Sequence, residues 1–362
     1  MNLSKKIINQ AKKIGFDLVG ITTASPFKKA YKDLKKRKDK DQLPEFMNKN
    51  IKKITHPKLI LPEAQSIIAL ALSYNISLPE NEEAFISKYS RGKDYHLVMK
   101  NKMKKVVSFL ENIEKKVKVK ILVDTGPLLE REVATRAGIG WIGKNTNLIN
   151  PQLGSYLFLG EIITNLNIEP TEKNKKNKCQ NCYICIENCP GGALNKENPY
   201  FLDENKCISY LTQKKGILSE AERELIGINL WGCDNCQKYC PYNKNIPQNI
   251  HEQFQPRIKG NLKKVLNMDK NNIPENWNKS ALSWRGIRTL KRNSLIVIKN
   301  GNFQKYIPLV KKELNHPSPI IRSYALWTLY NNDSDFTEDD LKDFSNNEKD
   351  NIVLFEINRL LN

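Results

Sequence analysis

A chain of 362 residues exceeds one comfortable hydrophobic core, and at roughly 100–200 residues per domain it is expected to fold as two or three units, with three preferred. Hydrophobic residues make up 40% of it, and no apolar run approaches the roughly 18–20 residues of a membrane-spanning helix; this excludes a helical membrane protein and makes a protein without a membrane partner the expectation. Lys and Arg number 59 against 39 Asp and Glu, for a net charge of +20, which points to a polyanion such as nucleic acid, although the Lys-, Asn- and Ile-rich composition raises the charge everywhere.

The first residues, MNLSKKIINQAKKIGFDLVGI, read as an amphipathic helix running into a strand. Their apolar stretch is too broken for the core of a secretory signal, so the cytoplasm is the expected address. ILPEAQSIIALALSYN is a second apolar run, read as strand. In SRGKDYH, Tyr95 and His96 form a polar, aromatic cluster suited to a pocket, although a lone His is more often structural. VKVKILVDTGPLLEREVATRAG predicts a strand over 117–123, a turn at Gly126-Pro127 and a helix over 128–137. Asp124 ends that strand, where a carboxyl with a raised pKa would donate a proton; taken alone, a strand-end Asp is more often a turn or helix cap. Gly138, Gly140 and Gly143 satisfy G-x-G-x-x-G but follow a helical segment rather than a strand, which rejects dinucleotide binding. Strands alternating with helices predict an α/β-type or α+β unit over residues 1–168.

All eight cysteines fall between Cys179 and Cys240. Cys179, Cys182, Cys185 and Cys189, followed by Pro190, reproduce the C-x2-C-x2-C-x3-C-P run of bacterial ferredoxins. In such a run three thiolates on one loop hold one cubane and the fourth ligates the other cluster. Cys233, Cys236 and Cys240 before Pro241 repeat the run without its first member, and Cys207 completes the set. Two four-iron four-sulfur clusters follow, one on Cys179, Cys182, Cys185 and Cys240, the other on Cys207, Cys233, Cys236 and Cys189. Zinc sites pair C-x2-C units without needing the C-x3-C-P tails, disulfides need an oxidising compartment, and C-x2-C-H, the covalent haem signature, is absent because Ile186 and Gln237 follow the paired cysteines. The ferredoxin-like module is expected over residues 169–260.

Beyond it, residues 251–322 carry 15 Lys and Arg against 4 Asp and Glu, and 323–362 carry 3 against 9, so the basic charge is focused. A helix over 284–300 places Ile287, Leu290, Ser294 and Ile298 on one stripe, leaving Arg285, Arg288, Lys291 and Arg292 for phosphate contact or for a merely solvated face. A helix over 307–314, a Pro-containing turn and a further helix with Ile321, Tyr324, Ala325 and Leu329 on its core face suggest short HEAT-like repeats over 261–362. The fold class expected is therefore a multi-domain α+β protein with an α/β-type N-terminal domain, a two-cluster ferredoxin-like module and C-terminal α-helical HEAT-like repeats.

LPEAQSIIALALSYN, KYSRGKDYH, VDTGPLLER, AGIGWIGKNT, GSYLFLGEI, CQNCYICIENCPGGAL, CISYLT, WGCDNCQKYCP and the C-terminal RNS helix, in this order, resemble the epoxyqueuosine reductases over nearly the whole chain. The resemblance implies a cobalamin-dependent iron-sulfur oxidoreductase that reduces epoxyqueuosine, at the wobble position of tRNAs with GUN anticodons, to queuosine. It further implies an external electron donor, electron passage through both clusters to cobalamin held by residues 1–168, and tRNA gripped by the C-terminal repeats. Asp124 then matches the proton donor, and Asp94, Tyr95, His96 and Arg131 match cofactor-pocket positions. Ser209 and Thr212, beside Cys207, would reach cobalamin or the anticodon loop. The family's cobalamin carries no protein histidine on cobalt, in keeping with the absence of D-x-H-x-x-G after Asp94. A monomer is expected. The competing readings are an electron-transfer subunit, against which the large cysteine-free N-terminal segment argues, a tRNA-binding protein with structural clusters, which would never need cobalamin, and a corrinoid reductive dehalogenase, which usually carries an export signal.

Overall fold

The computed structural model describes residues 2–43, 47, 50–171 and 176–362. Helix α1 (Leu3–Ile14) starts where the Asn2 side chain accepts the Lys5 amide and stops at Gly15, whose φ of +96° is left-handed. Strand β1 (Leu18–Thr23) follows, then α2 (Lys28–Asp39), α3 (Ile51–Thr55), β2 (Ser66–Ser73) and the short β3 (Phe85–Ile86). Next come α4 (Tyr95–Ile113), β4 (Val119–Leu122), α5 (Glu130–Arg136), the β5–β6 hairpin (Trp141–Ile142, Leu148–Ile149) and β7 (Leu157–Thr164).

Four of these strands form one sheet in the order β1-β2-β7-β4, and every pair in it is antiparallel. The N-terminal unit is thus α+β, not the α/β type its alternation of strands and helices suggests. The helices between its strands bring the chain back reversed, so no parallel pair forms in the sheet. Central strands β2 and β7 are buried along their whole length because both faces are covered. On one face α1 and α4 pack through Ile7, Ala11, Met99, Met103 and Val106; on the other α5 packs through Val133, Ala134 and Ala137. Phe158, Gly160 and Ile162 of β7 therefore look into the first layer, while Leu157, Leu159, Glu161 and Ile163 look into the second.

The cysteine module consists of brief elements: α6 (Ile184–Glu187), α7 (Ile208–Leu211), α8 (Glu220–Ile226), β8 (Asn229–Trp231) and α9 (Asn235–Lys238). Strand β8 pairs in parallel with β3, so the module is stitched to the N-terminal part by backbone hydrogen bonds. Seven more helices follow: α10 (Leu262–Leu266), α11 (Glu275–Asn278), α12 (Ile287–Asn300), α13 (Ile307–Glu313), α14 (Pro319–Asn332), α15 (Glu338–Asn347) and α16 (Asn351–Leu361). A single apolar cluster runs from Ala84 and Ile86 through Leu211, Leu230 and Trp231 to α12 and α14. Arg223 on α8 meets Glu356 on α16 with two hydrogen bonds of 2.6 and 2.8 Å, both side chains being 1% exposed, which clamps the last helix to the module. Among the described residues no helix is long and apolar enough to cross a membrane.

Candidate active site

Between the second face of the sheet, α2 and the segment 198–204 lies a cavity of about 1030 Å³. Asp124, Glu130 and Arg131 enter it from the β4–α5 connection, Thr146 and Asn147 from the β5–β6 turn, and Tyr95 from the first turn of α4. Three of its lining residues outside glycine, Asp124, Thr146 and Tyr200, hold left-handed φ values of +53°, +62° and +71°. Thr146 is β-branched, for which that conformation is strained, and such strain gathers at functional sites.

The Asp94 side chain caps α4 by accepting the His96 amide at 2.9 Å, and the same oxygen lies 2.7 Å from His96 Nδ1. His96 Nε2 in turn lies 3.3 Å from Asp124 Oδ2, to which the Tyr95 hydroxyl also donates at 2.8 Å. Tyr95 is sandwiched between His96 and Phe158, with ring centroids 4.1 and 4.2 Å away, so its hydroxyl is fixed. Burial disfavours the charge on His96, but its hydrogen bonds with Asp124 and Asp94 outweigh this and raise its pKa to about 9. At neutral pH the ring is therefore an imidazolium donating from both nitrogens. Burial likewise pushes Asp124 up, yet the hydrogen bonds from His96 and Tyr95 and the positive charges of His96 and Arg131 hold it below its ordinary value.

The raised carboxyl foreseen at Asp124 thus sits elsewhere. Glu130, which accepts the Asp124 backbone N–H, is pushed to about 8 by burial and then by the Asp124 charge. Arg131 lines the cavity and donates to the Thr146 carbonyl. Asp94 and His96 stand behind Tyr95 and Asp124 rather than on the cavity surface.

The cysteines form two quartets. Cys179, Cys182, Cys185 and Cys240 surround a second cavity of about 210 Å³ together with Lys144 and Tyr242. Burial, followed by the neighbouring Cys240, Cys179 and Cys182, pushes the Cys185 thiol up to about 11. Burial raises Cys233 to about 12, with Cys207 and Cys189 among its neighbours, and Cys236 responds to Cys233, Cys207 and Cys189. Cys185 thus neighbours Cys240, Cys179 and Cys182, while Cys233 and Cys236 neighbour Cys207 and Cys189. Thiols so disfavoured as free thiolates acquire that charge through metal coordination, and a ring of four around a cavity suits a cubane. Asn147, in the wall of the large cavity, places Nδ2 3.9 Å from Cys236 Sγ, so the second quartet adjoins the cavity directly.

Residues 55–125 match the family described as "Epoxyqueuosine reductase QueG, DUF1730", and residues 178–243 match the "4Fe-4S double cluster binding domain". The chain is 37% identical to the epoxyqueuosine reductase of Bacillus cereus, with 99% of this chain and 96% of that protein covered. It is 35% identical to that of Bacillus subtilis, over 99% and 95%. The chain belongs to the epoxyqueuosine reductase family. Its fold superimposes with a TM-score of 0.94, at 34% identity and 99% and 98% coverage, on an epoxyqueuosine reductase crystallised with an epoxyqueuosine-modified tRNA-Tyr stem loop. The epoxyqueuosine reductase of Streptococcus thermophilus gives 0.87 at 31% identity, covering 99% and 98%.

Within this family frame, two groups of sequence-predicted residues lie away from the cavity. Ser209 donates its backbone N–H toward Cys207 and its carbonyl accepts from Thr212 and Gln213, which makes it part of the cluster loop. Lys291 and Arg292, read as phosphate contacts, are only 6% and 2% exposed. Lys291 Nζ pairs with Glu313 at 2.8 Å, and Arg292 donates to the carbonyls of Lys214, Gly216 and Leu211, so both fasten α12 to its neighbours. Arg288 is exposed, and Arg285 stacks its guanidinium 3.8 Å from the ring of exposed Trp284. The reading of the sequence passed over Glu130, which lies within VDTGPLLER, Tyr89, within KYSRGKDYH, Asn147, one residue past AGIGWIGKNT, and Glu161, a lone carboxyl in the apolar run LFLGEIIT.

Proposed function

We propose that this chain reduces the epoxide of epoxyqueuosine, in tRNAs with GUN anticodons, to the cyclopentene of queuosine, taking up two electrons and two protons and releasing water. The observation that carries this reading is the junction of a large cavity holding a Tyr95–His96–Asp124 proton cluster with a cysteine quartet, through Asn147. An electron carrier needs only the quartets; a tRNA-binding protein needs neither the cluster nor the cavity.

The cavity reaches the upper end of the roughly 300–1,000 Å³ typical of small-ligand pockets, and its lining mixes apolar Leu128, Leu157 and Leu159 with polar Thr146, Asn147 and Ser155. Such a surface fits a corrinoid, whose flat ring is apolar and whose rim bears amides. Cobalamin, when bound, supplies a strongly reducing metal centre, and the clusters supply single electrons from an external donor. In our reading Arg131 and Asn147 hold the cofactor's polar rim, and Tyr95 shields one side of the reacting region from water. Asp124, a carboxylate at neutral pH, passes to the epoxide oxygen the proton held by the His96 imidazolium, which shares the Asp124 Oδ2 with the Tyr95 hydroxyl. Exposed cations next to the cavity, Lys29, Lys36 and Lys40 on or just after α2, together with Arg288, take the place of the buried Lys291 and Arg292 as phosphate contacts. The HEAT-like character of α13 to α16 belongs to the same proposal, with these helices as a scaffold beside the tRNA.

The test is anaerobic reconstitution with iron, sulfide and cobalamin, then dithionite-driven turnover on tRNA carrying epoxyqueuosine, read by mass spectrometry of nucleosides. Queuosine formed only with cobalamin is expected; eight bound irons without conversion would instead leave an electron-transfer role. Asp124→Asn is expected to keep both clusters and lose most turnover. Because the His96 pKa is raised, the proton that Asp124 passes on is present at neutral pH and lost as pH rises through about 9, so turnover should fall on that alkaline limb.

A further inference from the structure

Glu161 sits in the middle of β7 with 0% exposure, and neither of its carboxyl oxygens has a hydrogen-bond partner among the described residues. Its strand neighbours are Ala69 on β2 and Leu122 on β4, and along its own face β7 presents Leu157, Leu159 and Ile163. A carboxyl in such a setting destabilises the fold relative to a methionine of similar shape, and an unpaired buried polar group in a native protein calls for an explanation. The position supplies one. Leu157 and Leu159 line the cavity on the same face, α5 packs over that face, and Glu130 at its start lines the cavity and accepts the Asp124 amide.

We propose that Glu161 is a buried proton store that acts through Glu130 to furnish the second proton of the reduction. This rests on the reductase reading above. The first proton, from the Asp124–His96 pair, goes to the epoxide oxygen as one C–O bond breaks. The second passes from the Glu130 carboxyl to the resulting hydroxyl as the other C–O bond breaks, with the two electrons from the external donor completing the C=C bond and water leaving. Glu161 then hands its proton to Glu130, and both carboxyls reload from solvent through the cavity once product departs.

The electrostatics are consistent with storage at neutral pH. Burial, then the charges of Glu130 and Asp124, raise the proton affinity of Glu161 well above that of an ordinary carboxyl. Cations on the packed elements are engaged elsewhere or distant: Arg136 donates to Thr22, Thr23 and Ser25, Arg131 to Thr146, and Lys118 pairs with Glu63. Lys120 on β4 and Glu132 on α5 complete the ionisable set on those elements, the former exposed at the sheet edge.

The experiment compares wild type with Glu161→Gln and Glu161→Met, each reconstituted with clusters and cobalamin. Iron content and tRNA affinity are expected to stay at wild-type values, and Glu161→Met is expected to raise the thermal midpoint while both variants lose at least tenfold in kcat. In Glu161→Gln the rate should become first order in solvent protons, falling about tenfold per pH unit between about pH 6 and 7, below the alkaline limb set by Glu130 and His96, where the wild type is flat. Glu130 and Glu161 both hold protons at neutral pH in this scheme, and the Glu161 component of the protonated-carboxyl infrared band should vanish in Glu161→Met. Wild-type kcat and pH profile in both variants, or no such band in the wild type, would overturn the proposal. A wild type that fails to make queuosine overturns the reductase reading instead, and the infrared band and midpoint still report on the carboxyl.

Discussion

Helices α2 and α12 carry similar clusters of Lys and Arg, KKAYKDLKKRKD and IRTLKRNSLIVIKN, and the fold treats them oppositely. In α2 only Leu34 is buried, and its cations point to solvent along the cavity edge. In α12 every residue from Leu290 to Ile298 is buried, because β8, α10 and α14 enclose it on all sides. A helix surrounded by protein must bury its cations with partners. Lys291 has Glu313, and Arg292 has three backbone carbonyls. The difference teaches that a basic run marks a polyanion-binding face only where a single apolar stripe satisfies the packing.

The largest effect expected from this contrast is on stability. Lys291→Ala strands the Glu313 carboxylate at 9% exposure and should cost about 3–5 kcal/mol, as when one partner of a buried pair is removed. Arg292→Leu leaves the Leu211, Lys214 and Gly216 carbonyls without their donor and should cost on the order of 1–3 kcal/mol. Urea unfolding measures both. The salt dependence of tRNA binding by the folded fraction should not change; a weakened, less salt-sensitive complex with normal stability would return these two residues to the RNA surface and end the contrast.

Charge reversal on α2 should do the converse. Lys36→Glu with Lys40→Glu is expected to leave stability within about 0.5 kcal/mol of wild type per site and to weaken tRNA binding across all sequences. Each lost phosphate contact lowers the slope of log affinity against log salt by about one. An unchanged slope would place the tRNA away from the cavity edge and sharpen attention on Arg288.

How much of this was legible in advance depended on whether the information was local. The double-cluster module over residues 178–243 was readable because iron ligation fixes cysteine spacing within short loops. Strand β2 announced itself as an apolar run, whereas β7 appeared only within the motif GSYLFLGEI, and their antiparallel order could not be read, since pairings such as Ala69 with Glu161 join residues far apart in the chain. Asp124 and its companions His96 and Tyr95 were each visible in a motif; their convergence on one carboxylate oxygen depends on that same sheet. The burial of Lys291 and Arg292 did leave a local trace. Leu295, Ile296, Val297 and Ile298 are apolar in succession, which a helix with one wet face does not need, and the stripe of Ile287, Leu290, Ser294 and Ile298 hid it.

One cation of α2 stands between the two regimes, and it supplies the smallest expected effect. Arg37 donates to Glu204 at 2.8 Å and to the Gln42 carbonyl, and lies 4.7 Å over the ring of Phe201, with its side chain 25% and that of Glu204 19% exposed. It thus behaves partly as an α12 cation, holding the segment 198–204 against the cavity. A half-exposed pair of this kind contributes roughly 0.2–1 kcal/mol, so Arg37→Gln should barely move the unfolding midpoint. Its consequence should be local. Hydrogen exchange over residues 198–204 is expected to quicken while α12 stays protected, because local opening follows the few contacts that anchor a loop. Equal quickening in both regions would mean that α2 is wired into the core as tightly as α12, and that exposure alone does not separate a binding cation from a structural one.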